Sequence, residues 1–137
     1  MPITTQERKY LKNKHKGGKN NNKGATYENY YATYLIASFT HKYMTQMESV
    51  FLSSQLENAF VDDLLVNETS TLLRTYHQLK DVARLTWRTG KGCSLETDFK
   101  RQMEISNEKG ENFKLKLIYS KTDSPVSSVP NNLSPFT

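Results

Sequence analysis

Three short β-rich segments, followed by a helical segment and a fourth β-rich segment, dominate the pattern of this sequence. The first three lie at 49–54, 60–66 and 72–80 with a turn-like stretch before the third, which predicts an antiparallel meander. The fourth, at 113–119, alternates apolar and polar residues as a half-buried strand does. Because a helix joins the third strand to the fourth, the last connection is predicted to be a right-handed crossover within a mixed sheet.

Two segments have helical periodicity. The first is predicted to begin at Thr26 as its N-cap and to continue into the early or middle forties, since aromatic and apolar residues recur every three or four positions. The second is predicted to begin after Ser94 as its N-cap and to stop at Gly110. The sequence therefore predicts an α/β (α+β) fold in the order α-β-β-β-α-β, with a mixed sheet flanked by helices.

Charge and composition divide the chain into three parts. Residues 1–23 hold seven Lys or Arg against one acid, whereas the remainder holds twelve basic and thirteen acidic residues. We therefore expect a basic, flexible N-terminal arm at 1–23, a folded domain at 24–121, and a Ser/Pro/Asn-rich tail or truncation boundary at 122–137. The basic arm favours a polyanionic partner, although a solvated tail that keeps the protein soluble explains the charge equally well.

Composition also excludes several classes of protein. The longest apolar run, at 34–37, is far too short to cross a bilayer, so no membrane partner is expected. The single cysteine, Cys93, excludes an internal disulfide framework, and the histidines show no zinc spacing with it. With no apolar core of a secretory signal in the first residues, we expect a cytoplasmic protein.

Two groups of acids are candidates for chemistry. Asp62 and Asp63 stand directly before an apolar run, where they indicate either a tight turn between strands or a site for a hard divalent cation. Glu28 lies on the helix face that is predicted to meet the core, where burial would favour a cation partner. The alternative for Glu28 is a solvent-facing acid that stabilises the helix N-terminus.

Gln78 and Lys80 lie two residues apart on the third predicted strand, so they share one face of it. Across a hairpin, both would meet the acidic pair. A magnesium ion held there would activate water and stabilise a phosphoryl transition state, with Lys80 adding positive charge. Taken alone, Lys80 would be interpreted as an ordinary surface lysine.

The order helix Glu, strand Asp, strand Gln-x-Lys resembles the PD-(D/E)xK nuclease superfamily, whose restriction-endonuclease-like core is also α-β-β-β-α-β. The resemblance spans about 24–119, and the segments GATYE (24–28), DDLLV (62–66) and YHQLK (76–80) are most similar to the double-stranded DNA endonuclease domains of bacterial anti-phage defence systems. It implies a DNA endonuclease that uses Mg²⁺ or Mn²⁺, often fused to a sensor or ATPase module. The small size predicts a homodimer or a larger partner for cutting both strands.

The resemblance also implies residue roles. The metal-binding Asp of the superfamily falls on Asp63, which directly precedes the apolar strand, with Asp62 as the alternative ligand. The (D/E)xK pair falls on Gln78 and Lys80, and the helix carboxylate falls on Glu28. Gln78 replaces the usual acid, as in variants that resemble Mrr-type restriction nucleases, and this removes one negative ligand.

Basic residues in two places are predicted to contact DNA phosphates. The alternative for the second group is an ordinary surface loop, and Trp87 within it is interpreted as a core residue. The remaining hypotheses are a catalytically inactive nucleic-acid-binding or adaptor subunit, and a helix–sheet module for a protein partner. The predicted DNA contacts are Lys12, Lys14, Lys16, Lys19 and Lys23 in the arm, and Arg84, Arg88 and Lys91 after the third strand.

Overall fold

A computed structural model describes residues 2–19, 22–46, 49–81, 85–88 and 94–120. Within these ranges the chain forms three helices and four strands in the order α1-α2-β1-β2-β3-α3-β4. The helices are α1 (Thr5–Lys19), α2 (Asn22–Gln46) and α3 (Leu95–Glu108); the strands are β1 (Val50–Ser54), β2 (Leu64–Glu68), β3 (Leu73–Lys80) and β4 (Asn112–Tyr119).

The strands form one mixed sheet in the order β1-β2-β3-β4. The pairs β1–β2 and β2–β3 are antiparallel, while β3 and β4 are parallel and joined through α3. The predicted meander, the mixed sheet and the α+β class are therefore confirmed. None of the helices in the described ranges is long and apolar enough to span a membrane.

Each face of the sheet carries its own apolar core, because successive strand residues point to opposite sides. On one face Leu65 and Leu117 pack with Phe99 of α3, and on the other Leu64 packs with Tyr31 of α2. Leu117 is fully buried, and burial of a side chain of this size stabilises a fold by about 1.5–3 kcal/mol. The sheet is thus held between α2 and α3.

The N-terminal residues are not the flexible arm that their composition predicts. Thr5–Lys19 is helix α1, and Leu11 on it is 3% exposed in a cluster with Phe60 and Ile105. Arg101 Nε of α3 also lies 2.6 Å from Glu7 Oε1. The polar composition of this segment did not indicate a packed helix, because one buried leucine and a few ion pairs are enough to hold α1 against the domain.

Two helix starts can be compared with their predicted caps. Ser94 caps α3, since its Oγ accepts from Thr97 N at 3.3 Å while Ser94 N donates to Thr97 Oγ1 at 2.9 Å. Gly110, at φ 66°, follows the end of α3, so that helix is confirmed at both ends. Thr26 is not a cap, because α2 begins at Asn22. The predicted tail lies outside the described residues.

Candidate active site

The start of β2 and the end of β3 lie at the same edge of the sheet, because these strands are antiparallel and Leu64 pairs with His77. Asp63 precedes β2 by one residue and so comes opposite Gln78. Its Oδ2 accepts hydrogen bonds from Gln78 Nε2 and, at 2.7 Å, from Leu79 N. Asp63 and Gln78 are 8% and 1% exposed, so this contact is shielded from solvent.

The loop that carries Asp62 and Asp63 is fixed on both sides. Leu56 N donates to Asp62 O at 2.8 Å, which continues the β1–β2 pairing beyond the ladder. On the other side Phe60 N donates to Gln102 Oε1 of α3, also at 2.8 Å. The two acids therefore hold fixed positions before β2 rather than standing inside it, as the predicted strand at 60–66 had implied.

Glu28 on α2 faces Asp63 across a cleft of about 370 Å³. Glu28 Oε2 accepts a hydrogen bond from Gln55 Nε2 at 2.7 Å, and Gln55 N donates to Asp63 O at 3.2 Å. Gln55 follows β1 in a left-handed conformation, with φ 52°. Sequence reasoning missed Gln55, because nothing in its local pattern distinguishes it from other residues at the end of a strand.

Electrostatic repulsion is concentrated in this cleft. Burial, reinforced by the charge of Asp63, raises the pKa of Glu28 to about 7. Burial, reinforced by the charge of Asp62, raises the pKa of Asp63 to about 6. Burial also raises the pKa of Asp62. The positive charge of Lys80 opposes the rise in the pKa of all three carboxyl groups, although among the described residues none of them forms an ion pair with Lys80 within 4 Å. A cation in the cleft would relieve this repulsion.

Asp62 faces a different cation. Lys14 Nζ of α1 lies 3.2 Å from Asp62 Oδ1, 3.1 Å from Asp98 Oδ2 and 3.2 Å from Gln78 Oε1. It also donates to Phe60 O. Lys14 was predicted to contact DNA, and the structure corrects this, because its ammonium is engaged inside the protein. Sequence reasoning also missed Asp98, whose pairing with Lys14 spans 84 residues.

The cleft offers oxygen ligands, which a hard divalent ion prefers, but it offers few of them. Within the described ranges no three His, Cys, Asp or Glu side chains form a group that could hold a metal ion. The oxygens of Glu28 and Asp63 do share one cleft, and Gln55 Oε1 beside them is buried without a hydrogen-bond donor among the described residues. Oxygen ligands of this kind fit Mg²⁺, which keeps several of its own waters.

The other predicted site residues are dispersed. Lys12 and Lys16 are exposed and line a groove of about 630 Å³ with Arg8 and His15. Arg88 is exposed, and its Nε lies 2.5 Å from Glu96 Oε2. Lys19 and Lys23 fall within α1 and α2, where their side chains are outside the described part; Arg84 and Lys91 lie outside the described residues altogether.

Two further aromatic side chains belong to the core. Trp87 packs edge-on against Phe99 with ring centroids 5.3 Å apart, which confirms its interpretation as a core residue. His77 is 1% exposed, its Nδ1 lies 3.3 Å from Leu64 O, and its ring contacts Tyr31 on the α2 face. Burial lowers the pKa of His77 to about 4, so the ring stays neutral near pH 7.

The raised pKa of Glu28 makes the stability of the metal-free protein depend on pH. Its pKa is about 7 in the folded chain against an ordinary 4.5, so its stabilising contribution is complete below the ordinary value and is lost as pH rises through the folded value. We expect Glu28→Gln to increase the free energy of unfolding near pH 8 by about 1 kcal/mol, allowing for solvent screening, and to leave it unchanged near pH 4. Urea titrations in chelator at both pH values measure this; an equal effect at both would contradict it.

Comparison with known proteins identifies no relative of this chain, so the α+β fold is supported by the structure alone. No protein-family model matches the chain, and no significant match to a curated protein or to a solved structure was found.

Proposed function

We propose that the chain is a metal-dependent DNA endonuclease domain with a restriction-endonuclease-like core, acting in anti-phage defence. One observation carries this proposal: residues that are distant in sequence meet at one edge of the sheet. Asp63 forms a hydrogen bond with Gln78 and shares a cleft with Glu28, and the charge of Lys80 acts on the carboxyl groups of Asp63 and Glu28. Carboxylates that hold a divalent cation beside a lysine would support hydrolysis of a phosphodiester.

Each residue has a role in the proposed site. Asp63 and Glu28 would hold Mg²⁺ or Mn²⁺, with Asp62 beside them. Gln78 would be a neutral ligand through its Oε1, which faces Lys14 Nζ, while its Nε2 faces Asp63. When bound, the ion lowers the pKa of a coordinated water and stabilises the charge that develops on the phosphate. Lys80, at the end of β3, would orient the attacking water and add positive charge.

The outer face of α1 supports DNA as the substrate. Arg8, Lys12 and Lys16 are spaced four residues apart, so they share one face of the helix, and all three are exposed. Such a row neutralises backbone phosphates without reading sequence. A homodimer or a sensor or ATPase partner would supply the second cut, since one small domain offers limited contact area to duplex DNA.

Plasmid cleavage by the full chain tests the function. We expect supercoiled DNA to be nicked or linearised with Mg²⁺ or Mn²⁺, to be left intact in excess EDTA, and to be cut again when metal is restored. Cleavage that survives chelation would contradict metal-dependent chemistry. The same assay, run once with monomeric protein and once with a cross-linked dimer, determines whether two copies are needed for double-strand breaks.

The second candidate is a catalytically inactive DNA-binding or adaptor subunit. The position of Lys14 favours it, because an ammonium already lies against Gln78 Oε1 and Asp62, two of the oxygens expected to bind metal. This candidate predicts DNA binding that weakens with salt but no cleavage under any metal condition. DNA affinity that is independent of salt would favour neither of these two hypotheses, which leaves the third, a module for a protein partner.

A further inference from the structure

We propose that the Lys14 ammonium is an internal competitor of the divalent cation at Gln78, so that binding of the metal there requires Lys14 to leave the oxygens it contacts. The inference rests on the proposed metal site. Lys14 Nζ lies 3.2 Å from both Gln78 Oε1 and Asp62 Oδ1. A divalent cation held by that amide oxygen would lie close enough to the ammonium for strong repulsion in a buried setting.

The side chain of Gln78 has a single oxygen, Oε1, with which it can bind a metal. Its Nε2 donates to Asp63 Oδ2, and the side chain is 1% exposed, so the orientation of the amide is fixed. Reversing the amide would break that bond and turn Nε2 towards the ammonium, donor against donor. The oxygen that a metal would use is therefore the same oxygen that Lys14 contacts.

Lys14 is held in this position by the fold. It also pairs with Asp98 Oδ2 at 3.1 Å and donates to Phe60 O. Tyr10, one turn earlier on α1, donates its hydroxyl to the same Asp98 carboxylate at 3.0 Å, and Leu11 anchors the helix to the core. The packing of α1 therefore places the Lys14 ammonium at Gln78, and a metal must displace this ammonium from several partners.

The test compares Mn²⁺ binding by the full-length wild type and by Lys14→Gln/Asp98→Asn, using isothermal titration calorimetry. The double substitution removes one positive and one negative charge, so the net charge of the buried cluster is unchanged and folding is expected to persist. We expect Mn²⁺ to bind the variant at least about tenfold more tightly and to raise its melting temperature more than that of the wild type. Lys9→Gln, which removes an exposed charge from the same helix, is the matched control, with an expected change in Mn²⁺ affinity below about twofold.

Adding Gln78→Ala to the double variant identifies the ligand, and we expect it to abolish the gain in affinity. A gain that survives Gln78→Ala overturns the proposal, as does a double variant that binds Mn²⁺ no more tightly than the wild type. DNA cleavage is scored separately. Tighter binding without any cleavage supports the competition and counts against the nuclease; cleavage by the wild type with unchanged affinity in the variant does the reverse.

Discussion

DNA cleavage by the Lys80→Ala variant is expected to be at least about 100-fold slower than cleavage by the wild type, since removing one charge-stabilising donor from a hydrolytic site typically lowers kcat by about 10²–10³-fold. Lys80 ends β3, next to Leu79, whose N–H holds the Asp63 carboxylate. The positive charge of Lys80 opposes the raised pKa of Asp62, of Asp63 and of Glu28. The measurement is the single-turnover rate on a defined duplex at saturating Mg²⁺.

The control for this variant is Lys114→Ala, which removes an equal charge from an exposed position on β4, opposite Thr75. We expect it to retain the wild-type rate within about twofold, as surface substitutions usually do. DNA affinity is measured alongside, and it should change little in Lys80→Ala if the side chain acts on the chemical step. A Lys80→Ala protein that cuts as fast as the wild type would remove Lys80 from the mechanism.

Local patterns were sufficient to predict most of the secondary structure. The Ser94 cap and the glycine at 110 define α3 because each contact lies within a few residues of its partner. Alternation at 113–119 predicted β4 for the same reason, and a short turn between β2 and β3 fixed their antiparallel pairing. In an antiparallel pair of β2 and β3, the residue before β2 lies opposite the end of β3, so the contact between Asp63 and Gln78 is predictable from the sequence.

Long-range polar contacts could not be predicted in this way. Gln55 reaches Glu28 across 27 residues, and Lys14 reaches Gln78 across 64. Neither pair leaves a periodic signal, because a single hydrogen bond or ion pair needs no repeat in the sequence. The basic composition of 1–23 concealed the difference between Lys12, which faces solvent, and Lys14, which faces the core.

The Lys14→Ala variant is expected to be less stable than the wild type by about 3 kcal/mol, because breaking a buried ion pair leaves an uncompensated charge. The Lys14 side chain is 17% exposed, while those of its partners Asp62 and Asp98 are 5% and 8% exposed. Burial already raises the pKa of Asp62, and loss of the Lys14 ammonium would remove the group that most strongly opposes this rise. Urea denaturation in chelator at neutral pH measures the difference.

The same experiment distinguishes an integral α1 from a solvated arm. Lys12→Ala deletes an equal charge two residues away, at an exposed position, and should alter the free energy of unfolding by no more than about 0.5 kcal/mol. If 1–23 were an arm without contacts, both variants would behave alike, and a loss below about 1 kcal/mol in Lys14→Ala would contradict a structural ion pair of this kind. A large loss confined to Lys14→Ala would instead mean that the N-terminal helix neutralises the acidic loop before β2, so that removing the helix would expose Asp62 and Asp98 as unpaired charges.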